Sequence, residues 1–220
     1  LDSHGVVVQR ENAPGHLMRS DSADDVVVRT PAVPMSSPEL LDASENGFAI
    51  FDRGVAFAAL SAQFDTLAVC GTHGKTTTTC FLAGILRILA PEKTSWAIGG
   101  LSPLLGAVAG GPGLAAGAGR GFLVAEADES DGTLRLYTPK VTVLTNIDPD
   151  HMEPFHGVQD LENAFRAVLD QTTGCIVYCA DHARALVLGS EPRAVPAMSY
   201  GFSPKADFRL EDAECGETGC

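Results

Sequence analysis

Short apolar runs alternate with longer amphipathic stretches along this chain. Five runs read as strands, at 26–29, 67–70, 122–125, 141–145 and 176–179. After the second run, residues 75–90 place Phe81, Leu82, Ile85, Leu86 and Leu89 at three- and four-residue spacing, which predicts a helix with one apolar face that stops before Pro91. Residues 160–171 repeat the pattern with Leu161, Phe165, Val168 and Leu169, and Asp160 is the expected N-terminal cap. Strands and helices in this alternation predict an α/β fold with a mainly parallel sheet flanked by helices. The stretch ahead of the second strand holds one clear strand and a proline-rich connection at 30–38, too little for a complete domain. A boundary is therefore expected at 63–66, dividing the chain into 1–64 and 65–220. With no methionine ahead of Leu1 and a polar run at 211–219, both ends read as cut.

Composition narrows the picture. The 220 residues are 45% apolar and 20% charged, enough to bury a sizeable core and incompatible with disorder or a collagen-like chain. Acidic residues number 28 against 15 basic ones, a formal charge of −13, which argues against partners that are gripped by their phosphates, nucleic acid and anionic membranes alike. The lysines are only four, Lys75, Lys93, Lys140 and Lys205. A polyphosphate would have to be met by a deliberately placed cation, by backbone amides or by a metal.

Six cysteines without a preceding signal peptide point to reduced thiols in the cytoplasm. Cys175, Cys179, Cys215 and Cys220 make a poor zinc set, since the first two lie inside the strand-like run Cys175-Ile-Val-Tyr-Cys179 and read as small buried hydrophobes. Residues 94–119 carry no charge, yet their eight glycines and two prolines predict a Gly/Ala-rich loop and no membrane insertion.

The candidate chemistry begins at Gly71-Thr72-His73-Gly74-Lys75-Thr76-Thr77, between a strand and a helix. Glycines let the chain wrap so that backbone N–H groups face one anion, and the helix start adds its positive end. Lys75 can reach the β- and γ-phosphates, and Thr76 offers a hydroxyl to Mg²⁺. The full phosphate-loop pattern asks for another glycine where Val69 stands. Such a loop needs a metal-side acid at the end of a neighbouring apolar strand, and Glu126 directly follows the run 122–125. A quarter of the acids fall at 126–153: Glu126, Asp128, Glu129, Asp131, Asp148, Asp150 and Glu153. Most of these read as a solvated loop, with Glu126 the exception. His151 follows the strand 141–145, where open α/β sheets bind ligands, and is a candidate metal or phosphate contact. His73 either touches substrate or tolerates an unusual backbone angle.

Three segments, 71–79, Ala125-Glu-Ala-Asp-Glu-Ser-Asp131 and Thr145-Asn-Ile-Asp-Pro-Asp-His-Met152, together resemble the Mur ligases, and within that family those that join L-alanine to UDP-N-acetylmuramate. Residues 25–34, Ser37-Pro-Glu39 and 50–53 are similar to the end of that family's Rossmann-like UDP-binding domain. The resemblance implies three domains, of which this chain would hold the tail of the first (1–64) and most of the central ATP-binding domain (65–220). It implies ATP and Mg²⁺ as cofactors. The sugar nucleotide's carboxylate would attack the γ-phosphate, and the amine of L-alanine would displace phosphate from the acyl phosphate formed. Lys75 would stabilise the transferring phosphoryl, Thr76, Glu126 and His151 would hold Mg²⁺, and His73, Ser130 and Asn146 would contact substrate.

Some features depart from that pattern. The stretch 99–121 is richer in Gly and Ala than expected, so no substrate contacts carry over to it, and Pro149 replaces a more usual non-proline residue. The family's glycine-rich UDP motif, late central-domain asparagine and C-terminal arginine and aspartate are missing, so the 220 residues alone are expected to be inactive. One rival is the sister ligase that attaches a recycled tripeptide to the same sugar nucleotide, against which Ser130 argues, because that enzyme tends to carry tyrosine there. A nucleotide-binding module without ligase activity is the other.

Overall fold

Each of the five apolar runs becomes a strand in the computed structural model, which describes residues 25–112, 121–130, 132–150 and 152–212. The chain divides into two compact units, 1–57 and 58–220.

The described part of the first unit is a single strand–helix–strand turn. β1 (Val26–Arg29) pairs in parallel with β2 (Ala49–Asp52), and α1 (Pro38–Glu45) connects them. Pro38 opens α1, where its fixed φ suits a helix start and its missing N–H costs nothing. Register places Arg29 opposite Asp52, and the two form an ion pair at 2.6 Å. α2 (Arg53–Ser61) follows β2 directly, and the division between the units falls within it.

The second unit is built on an eight-stranded sheet. Its strands are β3 (Asp65–Cys70), β4 (Thr94–Ala97), β5 (Ala109–Gly110), β6 (Phe122–Glu126), β7 (Val141–Leu144), β8 (Cys175–Cys179), β9 (Ala197–Gly201) and β10 (Phe208–Arg209). They lie in the order β10-β9-β8-β7-β3-β6-β4-β5, parallel throughout except for the antiparallel β4–β5 pair. The expected mainly parallel α/β architecture is therefore present. β3 sits between β6 and β7, and Ala68, Val69, Cys70, Leu123, Val124 and Ala125 are wholly buried. A central parallel strand needs such a continuous apolar run, because connecting helices cover the sheet.

Two strands lie in the charge-free stretch expected to be a loop. β4 carries the buried Trp96, and β5 brings Gly110 against its indole, where a Cβ would stand 2.7 Å from the ring. A glycine on β5 lets that backbone close over Trp96, so the glycine content that suggested a loop here serves packing.

The helices also correct the sequence reading in detail. α3 (Lys75–Leu89) does not bury the stripe of large residues: Phe81, Ile85 and Leu89 are 63%, 54% and 73% exposed. It seats instead on Thr79, Ala83 and Gly84, small residues that admit close approach, and a Cβ on Gly84 would lie 2.5 Å from Leu104 Cδ2. Leu82 and Leu86 pack partly against the core of Ala83, Trp96, Ile98, Leu105 and Val124. α4 (Val158–Asp170) does bury its predicted face, Leu161, Phe165, Val168 and Leu169. Its cap position is Gly157, however, and Asp160 lies in the first turn. From there its carboxylate reaches back to the His156 amide at 3.4 Å, serving the helix start from within. α5 (Ala183–Gly189) joins β8 to β9. Among the described residues no helix is long and apolar enough to cross a membrane.

Candidate functional site at the ends of the central strands

The loop after β3 is shaped by two glycines with positive φ. Gly71 has φ +133°, and a Cβ there would collide with Thr145 Oγ1 and lie 2.9 Å from Asn146 N. Gly74 has φ +79° and occupies the cap position of α3. A helix leaves its first amides without intrahelical acceptors, so those after Gly74 are free to face an anion while the dipole adds positive potential.

The segment after β7 pins this loop in place. Thr72 N donates to Asn146 O at 3.1 Å, and the Asn146 side chain accepts from His73 N at 2.7 Å and donates to His73 O at 2.9 Å. Thr145 Oγ1 donates to His73 O at 2.8 Å. Thr72 Oγ1 accepts from Asp148 N at 2.9 Å and lies 3.1 Å from Asp148 O. The backbone N–H groups of Thr72 and His73 are thus engaged within the protein. In this arrangement Asn146 holds the loop's shape. Thr77 and Ser130 are exposed, and Ser130 N bonds Asp128 Oδ1 at 3.1 Å.

Lys75, opening α3, is 9% exposed and turns its ammonium onto an acid. Nζ lies 3.0 and 3.2 Å from the two oxygens of Glu129, 3.2 Å from Thr72 O and 3.8 Å from Asp128 Oδ1. Glu129 is wholly buried, which corrects the reading of it as part of a solvated loop. Burying a carboxylate requires a partner, and Lys75 is that partner. Burial, and then the negative charge of Glu129, push the nearby Cys70 thiol well above its usual range.

Glu126 ends β6 beside Thr76. Its Oε2 accepts from Thr76 Oγ1 at 2.9 Å and from Gly99 N at 2.9 Å. A Cβ on Gly99 would stand 3.0 and 3.1 Å from the Glu126 oxygens, so a glycine there lets the backbone meet the carboxylate directly. A hydroxyl and a carboxylate side by side are hard oxygen donors of the kind Mg²⁺ takes, and Mg²⁺ is commonly held by one or two carboxylates plus phosphate and water. Among the described residues no three His, Cys, Asp or Glu side chains form a ready metal cluster. His151 and Asp131, both singled out by the sequence, lie outside the described residues, as do Cys215 and Cys220. Cys175 and Cys179 are half-buried free thiols on β8.

Farther along, His182 caps α5. Its Nδ1 accepts from Ala185 N and Ile147 N, both at 3.4 Å, which leaves the ring proton on Nε2, 3.3 Å from Asp148 Oδ1. The turn after β7 is thereby fixed from two sides, by the loop through Thr72 and by α5 through His182.

Comparison with known proteins identifies the family. The family model described as the Mur ligase middle domain matches residues 69–220. The chain belongs to the Mur ligase family. A UDP-N-acetylmuramate–L-alanine ligase from Kineococcus radiotolerans is 41% identical over 216 residues, covering 96% of this chain and 44% of that one. Among solved structures, the UDP-N-acetylmuramate–alanine ligase of Thermotoga maritima superposes with a TM-score of 0.71 at 27% identity, over 85% of this chain and 40% of that one. The Neisseria UDP-N-acetylmuramate:L-alanyl-γ-D-glutamyl-meso-diaminopimelate ligase shares the fold, with a TM-score of 0.69 at 20% identity over 87% of this chain and 62% of that one. This Mur ligase chain thus spans less than half the length of the alanine-ligase relatives it matches.

Reading the sequence of this Mur ligase chain by motif finds the loop, Glu126 and the turn after β7. The burial of Glu129, the hold of Thr145 on the loop, and the parts of Gly99 and His182 carry no such mark. The Gly99-Gly100 pair directly after an apolar Trp96-Ala-Ile98 was the one available signal for the first glycine.

Proposed function

We propose that this chain supplies the ATP-binding part of a ligase that joins L-alanine to UDP-N-acetylmuramate. The observation that carries the reading is the convergence of Lys75, Thr76 and Glu126 with the pinned loop 71–77, at the ends of three adjacent parallel strands in a Mur ligase middle domain. Residues 65–220 act as the central domain. Residues 1–64 act as the tail of a UDP-binding, Rossmann-like domain, a role supported by the parallel β1-α1-β2 turn.

Loop residues Gly71, Thr72, His73, Gly74, Lys75, Thr76 and Thr77 surround the phosphates, with the amides of the α3 start and the Lys75 ammonium supplying positive charge. Thr76, Glu126 and His151 would hold Mg²⁺, which when bound neutralises phosphate charge. The sugar nucleotide's carboxylate oxygen attacks the γ-phosphorus, and ADP leaves. The amine of L-alanine then attacks the acyl carbon, phosphate leaves with the C–O bond electrons, and the amine gives up a proton as the amide forms. Lys75 acts in the first step, where charge develops on the transferring oxygens. His73, Ser130 and Asn146 act toward substrate, Asn146 through the loop it holds. Such chemistry on soluble precursors suits the cytoplasm.

The alanine reading is favoured over the tripeptide one by 41% identity to an L-alanine ligase across nearly the whole chain. The test uses a chain spanning the length of those relatives. ADP release should require both UDP-N-acetylmuramate and L-alanine, and tripeptide should not replace L-alanine. Release that needs neither substrate, or that prefers tripeptide, overturns the proposal. Lys75→Ala should lower turnover by orders of magnitude, and near-normal kcat would remove Lys75 from the mechanism.

A further inference from the structure

Lys75 is surrounded by more negative charge than it can answer. Its Nζ lies 3.0 Å from one Glu129 oxygen, 3.2 Å from the other and 3.8 Å from Asp128 Oδ1. The next residue, Thr76, donates to Glu126. Three carboxylates therefore stand at a loop that carries one lysine. They differ in kind: Asp128 is 43% exposed and screened by water, whereas Glu129 is fully buried, where its field is screened least.

A phosphate arriving at α3 meets the helix end, whose first amides attract it. Beside them it meets an ammonium whose charge Glu129 already holds, and it must share that lysine with a buried anion. A bare polyphosphate brings only more negative charge. A polyphosphate carrying a divalent cation brings the positive charge that answers Glu126, Asp128 and Glu129 together.

We propose that Glu129 makes nucleotide binding at this loop conditional on a divalent cation, by holding the charge of Lys75 so that metal-free nucleotide is rejected and the metal–nucleotide complex is selected. This rests on the nucleotide reading above and adds to it a residue that sets which form of the nucleotide is accepted. Glu129 acts through Lys75 and through charge, so it is a specificity-determining positioning residue that need not touch substrate.

The test is ATP binding to the 220-residue chain, measured by titration calorimetry in Mg²⁺ and again in EDTA. Metal and nucleotide should be coupled in the wild type by a factor within about 5- to 150-fold, and Glu129→Gln should narrow that ratio at least about threefold, chiefly by tightening metal-free ATP. A merely structural role would weaken both forms alike and leave the ratio unmoved, and that result overturns the proposal. ATP binding in neither condition by the wild type overturns the nucleotide reading and this inference with it. Wild-type binding with an unchanged ratio in Glu129→Gln overturns this inference alone.

A second measurement needs no nucleotide. Competitive acetylation read by mass spectrometry, with Lys93, Lys140 and Lys205 as internal references, should show Lys75 several-fold more reactive in Glu129→Gln. Unchanged reactivity means that Glu129 does not hold the ammonium, and the proposal fails. Should Glu129→Gln not fold, Asp128→Asn must narrow the ratio in the same direction by a smaller factor; a ratio that stays the same or widens counts against the proposal equally.

Discussion

Removing Lys75 should cost stability as well as function, and the size of that cost follows from where its partner sits. The Glu129 side chain is 0% exposed and that of Lys75 10% exposed, with N–O separations of 3.0 and 3.2 Å. Lys75→Ala leaves a buried carboxylate unanswered and removes a donor from Thr72 O. Breaking one side of a buried pair costs about 3–5 kcal/mol, whereas an exposed pair would cost about 0–1. The pair here falls in the first class. The assay is urea unfolding followed by fluorescence of Trp96, the single tryptophan, buried in the second unit and so a reporter on that unit. At a slope near 2 kcal/mol/M, a loss of about 4 kcal/mol lowers the midpoint by roughly 2 M. Glu129→Gln added to Lys75→Ala removes the orphaned charge and should restore about 1–3 kcal/mol of what the single substitution lost. A Lys75→Ala loss below about 1 kcal/mol would place the pair with surface ion pairs. A double variant as unstable as the sum of the singles would show that the two side chains are not coupled.

Other positions give independent checks. Gly71→Ala combines a φ of +133° with a collision against Thr145 Oγ1, and should lower unfolding free energy by at least about 2 kcal/mol and abolish ATP binding; normal urea midpoint and affinity would refute the close approach. Thr142 Oγ1 and Thr172 Oγ1 meet at 2.6 Å in the core, and because Thr172 donates onward to Val168 O, Thr142→Val should cost about 1 kcal/mol in the same unfolding assay, with no loss as the contrary result. Asp207 accepts from Ser199 N and Oγ, bonds that hold its carboxyl below the usual 3.8. A depressed folded value means stability present above 3.8 and lost as pH falls through the folded value, so the gap between wild type and Asp207→Asn should be full at neutral pH and close in acid. A gap constant with pH would exclude this carboxylate as its source.

What the sequence made legible depended on whether the signal was local. β3, β6, β7 and β8 announced themselves because a buried parallel strand has few ways to be written other than a short apolar run. The turn after β3 was legible because Gly71 and Gly74 occupy backbone positions that other residues resist. β4 and β5 were hidden because glycine at β5 answers to Trp96, a neighbour more than ten residues away. The seating of α3 was misjudged for a related reason: periodicity locates an apolar stripe, but close approach to a sheet selects small residues, and Ala83 and Gly84 carry no hydrophobic signal. Glu129 could not be separated from its acidic neighbours, because its burial is decided by Lys75, 54 positions away.

The strand order explains why segments so far apart act as one site. The chain lays β4 and β6 on one side of β3 and then crosses to lay β7, β8 and β9 on the other, so the direction of winding reverses at β3. At such a reversal neighbouring connections leave in opposite directions and open a crevice at the carboxyl ends, where open α/β sheets take their ligands. Lys75 follows β3, Glu126 ends β6 and Asn146 follows β7, so the three strands bordering the crevice each deliver one polar segment. The position of Glu129 follows from the same order. Three residues past the end of β6, it is turned into the protein against the lysine that opens α3, and for a chain with a charge of −13 that gives one acid a fixed task. On the proposed reading, the acidity that weighed against nucleic acid and anionic membranes would at this loop admit phosphate when its charge arrives already balanced.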